Sequence, residues 1–287
     1  MQRNLSILQR PLAGHGRAGV GGFSRRELAL LAGVVMLAVL ACCAPALAQP
    51  ARYHAFADQR SWTIAWTSGW TSLPHAMDVL SNLPFAWFGA LGLAWLARAV
   101  RCQSLGVNAV GLLALFFGGL IVTAGASSAY HWQPHNTGLA WDRIGMVLPF
   151  AGLMGLAALQ SVGQRAGIAL AGAVLCLGPL SVYTWSQTGN LLPWAVLQFG
   201  GMALIVVLAL LRPVQAVQLP IRWGLVMAIY ALAKVLELAD HQVWELLGHS
   251  VSGHSLKHIV ASLAALPVIA ALRLAITPVP ARSKSQQ

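Results

Sequence analysis

Runs of about 20 mostly apolar residues recur along almost the whole chain, separated by short polar connections. Seven follow one another at approximately 78–100, 106–131, 141–162, 166–186, 191–211, 222–245 and 254–274, and another precedes them at 27–48. Each is long enough to cross a hydrocarbon core of roughly 30 Å as a helix. The short alternating segments of a membrane β-barrel are missing from the pattern. It therefore predicts an all-α polytopic membrane protein, a seven-helix transmembrane bundle preceded by a signal-like or additional N-terminal helix. Short connections favour antiparallel neighbours.

Composition agrees with that pattern. Hydrophobic residues make up 57% of the 287 residues and charged residues only 9%, against roughly 25% charged in soluble domains. A net charge of +11 would suit a nucleic-acid partner, but the basic residues are distributed as topology signals. Arg3, Arg10, Arg17, Arg25 and Arg26 precede the first run. Arg98 and Arg101, Arg165, Arg212 and Arg222, then Arg273, Arg282 and Lys284 fall in alternate connections. By the positive-inside rule those connections and the C-terminus face the cytoplasm of a cell whose inner membrane the protein spans. No nucleic-acid partner is expected.

The organisation then reads as a disordered basic N-terminus at 1–26, a signal-like or first transmembrane segment at 27–48, an outer interfacial segment at 49–77, the membrane domain at 78–274 and a cytoplasmic tail at 275–287. Ala46-Leu47-Ala48 resembles a cleavage site, and Ser24-Arg25-Arg26 a twin-arginine signal; an uncleaved first helix fits equally well. The tryptophans Trp62, Trp66 and Trp70 predict an amphipathic segment lying on the membrane surface, a lid being the alternative. Cys42, Cys43, Cys102 and Cys176 have no pairing pattern and read as small apolar fillers.

Against this apolar background a few polar residues stand out. His254 and His258 are one helical turn apart on one face, as are Ser127 and His131. Alternation of the helices brings His131, at the end of the second core helix, Asp142, at the start of the third, and His254, at the start of the seventh, to the outer side of the membrane. Three imidazoles with an open fourth position describe a catalytic zinc site. Zinc there would bring the pKa of water to roughly 7 and polarise a carbonyl. Asp142 is then the candidate general base and Ser127 a donor to the oxygen that gains charge, chemistry that suits amide or ester hydrolysis. Ligand type alone leaves iron and copper open. Haem fits poorly, since histidines four apart on one helix cannot straddle two haems. Bland readings exist for each piece: an interfacial Asp142-Arg143 ion pair, a packing serine, a Lys234-Glu237 structural pair. Lys234, Glu237, Asp240 and His241 on the sixth helix are either that pair with a polar end or a shell orienting the ligand histidines. His15, His54, His135 and His249 read as surface residues.

Taken together, Ser127-x-x-x-His131, Asp142 eleven positions on, and His254-x-x-x-His258 resemble the alkaline ceramidase family of seven-helix membrane hydrolases, in a superfamily that includes the adiponectin and progestin receptors. Asp78-x-x-Ser81-Asn82 resembles the family's Asn-x-x-Ser-Asn stretch, with Asp78 in place of Asn. The likeness covers about residues 58–274. It implies a zinc-dependent amidase that cleaves ceramide into a sphingoid base and a fatty acid, with His131, His254 and His258 on zinc, Asp142 handling the water proton and Ser127 supporting the site. Eukaryotic members also carry an acidic calcium site. Here only Asp58, Asp78 and Asn82 are available, without a run of carboxylates, which makes calcium a doubtful cofactor. The alternatives are an amidase or esterase for another membrane lipid, and a receptor-like protein in which zinc only ties helices together. A transporter lacks the expected inverted repeat of broken helices. Oligomeric state and acyl-chain preference have no signature in the sequence.

Overall fold

The computed structural model describes residues 22–66, 69–214 and 219–276. Most of the basic N-terminus and of the C-terminal tail, His15 included, lies outside the described residues.

Ser24 opens the first helix, α1 (Arg25–Cys43), with a capping box: its hydroxyl accepts from the Glu27 amide while the Glu27 carboxylate accepts from the Ser24 amide. None of α1's residues is buried, as suits a helix whose surroundings are lipid. Its two ends are fastened to opposite ends of the bundle. Arg26 donates to the carbonyls of Ser161 and Arg212, both at 2.7 Å. Beyond the other end, Leu47 and Ala48 pair with Asn190 and Leu191.

The segment that follows, expected only as an amphipathic stretch on the membrane surface, has a defined structure. It forms an antiparallel hairpin, β1 (Trp62–Trp66) with β2 (Gly69–Leu73), registered from Trp62 opposite Leu73 to Trp66 opposite Gly69. Trp62, Thr63, Ile64 and Trp66 are aromatic or β-branched, and on a half-covered surface such residues prefer the pleated conformation. Trp62 and Trp70 remain exposed.

The bundle comprises α2 (Ala76–Leu80), α3 (Leu83–Arg101), α4 (Val107–Trp132), α5 (Asn136–Ser161), α6 (Gln164–Thr188), α7 (Leu192–Ala195) running through a π turn at Val196–Gly200 into α8 (Gly201–Leu210), then α9 (Trp223–Leu238), α10 (Asp240–Leu246), α11 (Gly253–Ser262) and α12 (Ala265–Ile276). By length and hydropathy, α1, α2 with α3, α4, α5, α6, α7 with α8, and α11 with α12 can each cross a membrane. The shorter α9 stands among them with 16 residues. The protein is thus an all-α polytopic bundle with an additional N-terminal helix.

Two boundaries differ from expectation in ways that matter for the site. The third core helix starts at Asn136, not 141, because Asn136-Thr137-Gly138 forms a polar first turn; Asp142 therefore sits well inside α5. The sixth run, predicted as one helix over 222–245, breaks at Ala239, where the Asp240 side chain turns to bond distant backbone amides.

Close helix contact in a bilayer relies on small residues, since lipid is as apolar as the core. At Gly119 of α4 an added Cβ would lie 2.6 Å from Pro149 of α5, and at Gly152 of α5 one would lie 2.6 Å from the Phe116 amide nitrogen. The backbones of α4 and α5 therefore touch. The four cysteines are all exposed and free, so they are not core fillers; on a lipid-facing surface an apolar side chain needs no burial.

Candidate metal centre

His131 comes from the last turn of α4, and His254 and His258 from α11. All three are buried, and one ring nitrogen of each lies within 4.8 Å of the others. Nε2 of His131 faces Nε2 of His254 at 3.2 Å. Among the described residues this is the one group of His, Cys, Asp and Glu so gathered.

The third ring can be oriented from its partner. Ser81 Oγ lies 3.0 Å from the carbonyl of Asp78 and 2.8 Å from Nδ1 of His258. A hydroxyl has one proton to give. If it goes to the carbonyl, Ser81 must accept from Nδ1–H of His258, which leaves the Nε2 lone pair of that ring for a cation. Such a bond is the usual device for fixing the tautomer of a ligating histidine. Three buried imidazoles in this arrangement fit a divalent metal of the zinc type.

The rest of the shell is built from distant parts of the chain. Asp240 accepts from the His254 amide at 2.8 Å with one oxygen and from the Ala57 amide at 2.9 Å with the other. It thereby ties the start of α11 to the segment before the hairpin. Ser252 caps α11 through the Ser255 amide, and Ser255 donates to Asp78 at 2.6 Å. Gly253 is required by closeness: an added Cβ would lie 2.4 Å from the Leu236 carbonyl of α9. The Phe56 ring covers the cluster, with centroids 4.8 Å from His131 and 4.4 Å from His254.

A cavity of about 80 Å³ adjoins His258 and is lined by Ser127, Asp142, Arg143, Lys257 and Tyr53 among others. The side chains of Ser127 and Asp142 both line it. Burial raises the Tyr53 phenol above its ordinary pKa, so Tyr53 presents a neutral hydroxyl. Glu237 bonds both Lys234 and Lys257, the latter at 2.6 Å. Gln198 and Tyr230, bonded to each other at 2.8 Å, separate this cavity from an apolar one of about 40 Å³ between α5, α8 and α9.

Several residues behave differently from the sequence reading. Arg143 is buried and forms no ion pair with Asp142; it lies 4.1 Å over the Trp185 ring and donates to Gln49 at 2.8 Å. Asp142 and Arg143 are adjacent on a helix and so point in different directions. His54 is half-buried and bonds Tyr130 and Asn136, so it ties the N-terminal segment to α4 and α5. His135 and His249 are exposed. His241 bonds the carbonyl of Ala55. Asp58 is held by Arg60 through both carboxylate oxygens, apart from Asp78. Phe56 and the amide-binding role of Asp240 had no local signal in the sequence.

No protein-family model and no curated protein matches the sequence.

Proposed function

We propose that the protein is a zinc-dependent membrane hydrolase that cleaves the amide bond of ceramide-type lipids, releasing a fatty acid and an amine such as a sphingoid base. The observation that carries the reading is the gathering of His131, His254 and His258 within 4.8 Å of one another beside a cavity lined by Ser127 and Asp142. A purely structural metal would have no use for that cavity.

When bound by the three imidazoles, zinc supplies the Lewis acidity that polarises an amide carbonyl and makes water acidic. Asp142 takes the proton from the attacking water and passes it to the departing nitrogen. The Ser127 hydroxyl donates to the carbonyl oxygen as charge collects there. Water adds, the C–N bond breaks, and a carboxylate and an amine leave. Phe56 keeps bulk water from the far side of the imidazoles. The acyl chain arrives laterally from the bilayer, and the apolar cavity beyond Gln198 and Tyr230 takes only the carbons nearest the amide.

Alternate basic connections and the fastening of Arg26 beside Ser161 and Arg212 support a cytoplasmic C-terminus and a metal site near the outer face of the inner membrane. The test is mass-spectrometric detection of fatty acid and amine released from a lipid-amide panel by detergent-purified protein, with and without a zinc chelator. Chelator-sensitive release is expected. Absence of release from every amide and ester, with zinc still bound, would overturn the reading.

A further inference from the structure

The cavity beside His258 holds more positive than negative charge. Arg143, Lys234 and Lys257 line it on one side of the account, Asp142 and Glu237 on the other. Glu237 is committed to both lysines. Arg143 is only 2% exposed, and its Nε and Nη1 have no hydrogen-bond partner, although Nη2 is held by Gln49. The Trp185 ring over Arg143 supplies no acceptor atom, and a buried cation with two nitrogens that lack an acceptor is costly. Its plane is fixed by Trp185 at 4.1 Å, with Tyr53 at 5.5 Å and Trp194 at 5.9 Å. The stack holds the guanidinium plane still, and the unpartnered Nε–H and Nη1–H bonds lie in that plane on different edges, each able to donate a charge-assisted bond to a carboxylate or a phosphate.

We infer that the preferred lipid amide bears an anionic group, carboxylate or phosphate, on its amine side, and that Arg143 binds this group, so that an uncharged ceramide is the poorer substrate. This rests on the hydrolase reading for the identity of the bond cleaved, but the anion site stands on Arg143 alone. With the acyl carbons nearest the amide beyond Gln198 and Tyr230, the amine portion of the substrate falls among Arg143, Tyr53 and Lys257. Water cleaves the same C–N bond, and the anionic amine is the second product. Arg143 touches substrate away from the reacting atoms and so determines specificity.

Two probe pairs of matched shape test this: N-oleoylglycine against N-oleoylglycinamide, and N-oleoyl-O-phosphoethanolamine against N-oleoylethanolamine. Wild-type protein should favour at least one anionic member by about 10- to 100-fold in kcat/KM, the range expected for charge-assisted hydrogen bonds. Chelator-treated, metal-free protein should bind that member more tightly by a similar factor, which shows that the metal is not the anion's partner. Whichever pair responds identifies carboxylate or phosphate. Arg143→Gln should collapse the ratio within the pair, and Arg143→Lys should restore part of it; if Arg143→Gln does not fold, the wild-type ratios and Arg143→Lys still decide. Equal handling of charged and neutral members, with chelator-sensitive hydrolysis intact, overturns the anion site and leaves the hydrolase reading standing. Anion-selective binding without hydrolysis of any amide does the reverse.

Discussion

Nδ1 of His258 lies 2.8 Å from the hydroxyl of Ser81, residues 177 positions apart in the chain. The bond joins the connection between α2 and α3 to the histidine-bearing side of α11, and it bears on which nitrogen of the ring is free. Ser81→Ala removes the acceptor without adding bulk. Affinity for zinc, read by competition with a chromogenic chelator, should fall by about 10- to 100-fold, the usual cost of losing such a partner, while the helical content stays that of the wild type.

Asp240 is a clamp on two backbone amides, those of His254 and Ala57. Asp240→Ala leaves both without their acceptor in a buried place. Each unmet amide costs about 1–3 kcal/mol. Thermal unfolding in detergent should show a clear loss of stability, and removing zinc should add little further loss, because the start of α11 is already released.

Gly253 and Gly111 make a matched pair. At Gly253 a methyl group would meet the Leu236 carbonyl at 2.4 Å; at Gly111 it would meet nothing within 4 Å. Gly253→Ala should destabilise by about 1–3 kcal/mol, as overpacking does, and lower zinc occupancy. Gly111→Ala should be neutral or stabilising by up to about 1 kcal/mol. Both effects are measurable by thermal unfolding alongside metal analysis.

Glu237 neutralises two lysines at once, Lys234 and Lys257. Breaking a buried pair from one side is worse than removing it entirely. In this half-buried cluster Glu237→Gln should cost about 1–3 kcal/mol, and the additional change Lys257→Met should recover part of it. A double-mutant cycle on unfolding midpoints checks the coupling; strict additivity would contradict it.

The parts legible in the sequence are those whose cause is local. Apolar runs announce helices because lipid demands them, and the spacing of His254 and His258 announces a shared face because a helical turn guarantees it. The hairpin at Trp62–Leu73 was hidden beneath an interfacial reading of its tryptophans, although its β-branched residues carried the signal. Phe56, Asp240 and Arg143 were not legible in their roles. Their partners lie 75, 14 and 94 positions away or more, at His131, His254 and Gln49, and neither periodicity nor charge placement encodes such distances. The break at Ala239 has no local signal for the same reason: Asp240 accepts a bond from the Ala57 amide, in another part of the fold.

The most direct test of the central claim is elemental analysis of the purified protein together with His131→Ala, His254→Ala and His258→Ala, each assayed on the lipid-amide panel. One zinc per wild-type chain is expected, lost from all three variants together with chelator-sensitive hydrolysis. Full turnover in a variant lacking one of these imidazoles, or an active wild-type protein free of metal, would contradict it.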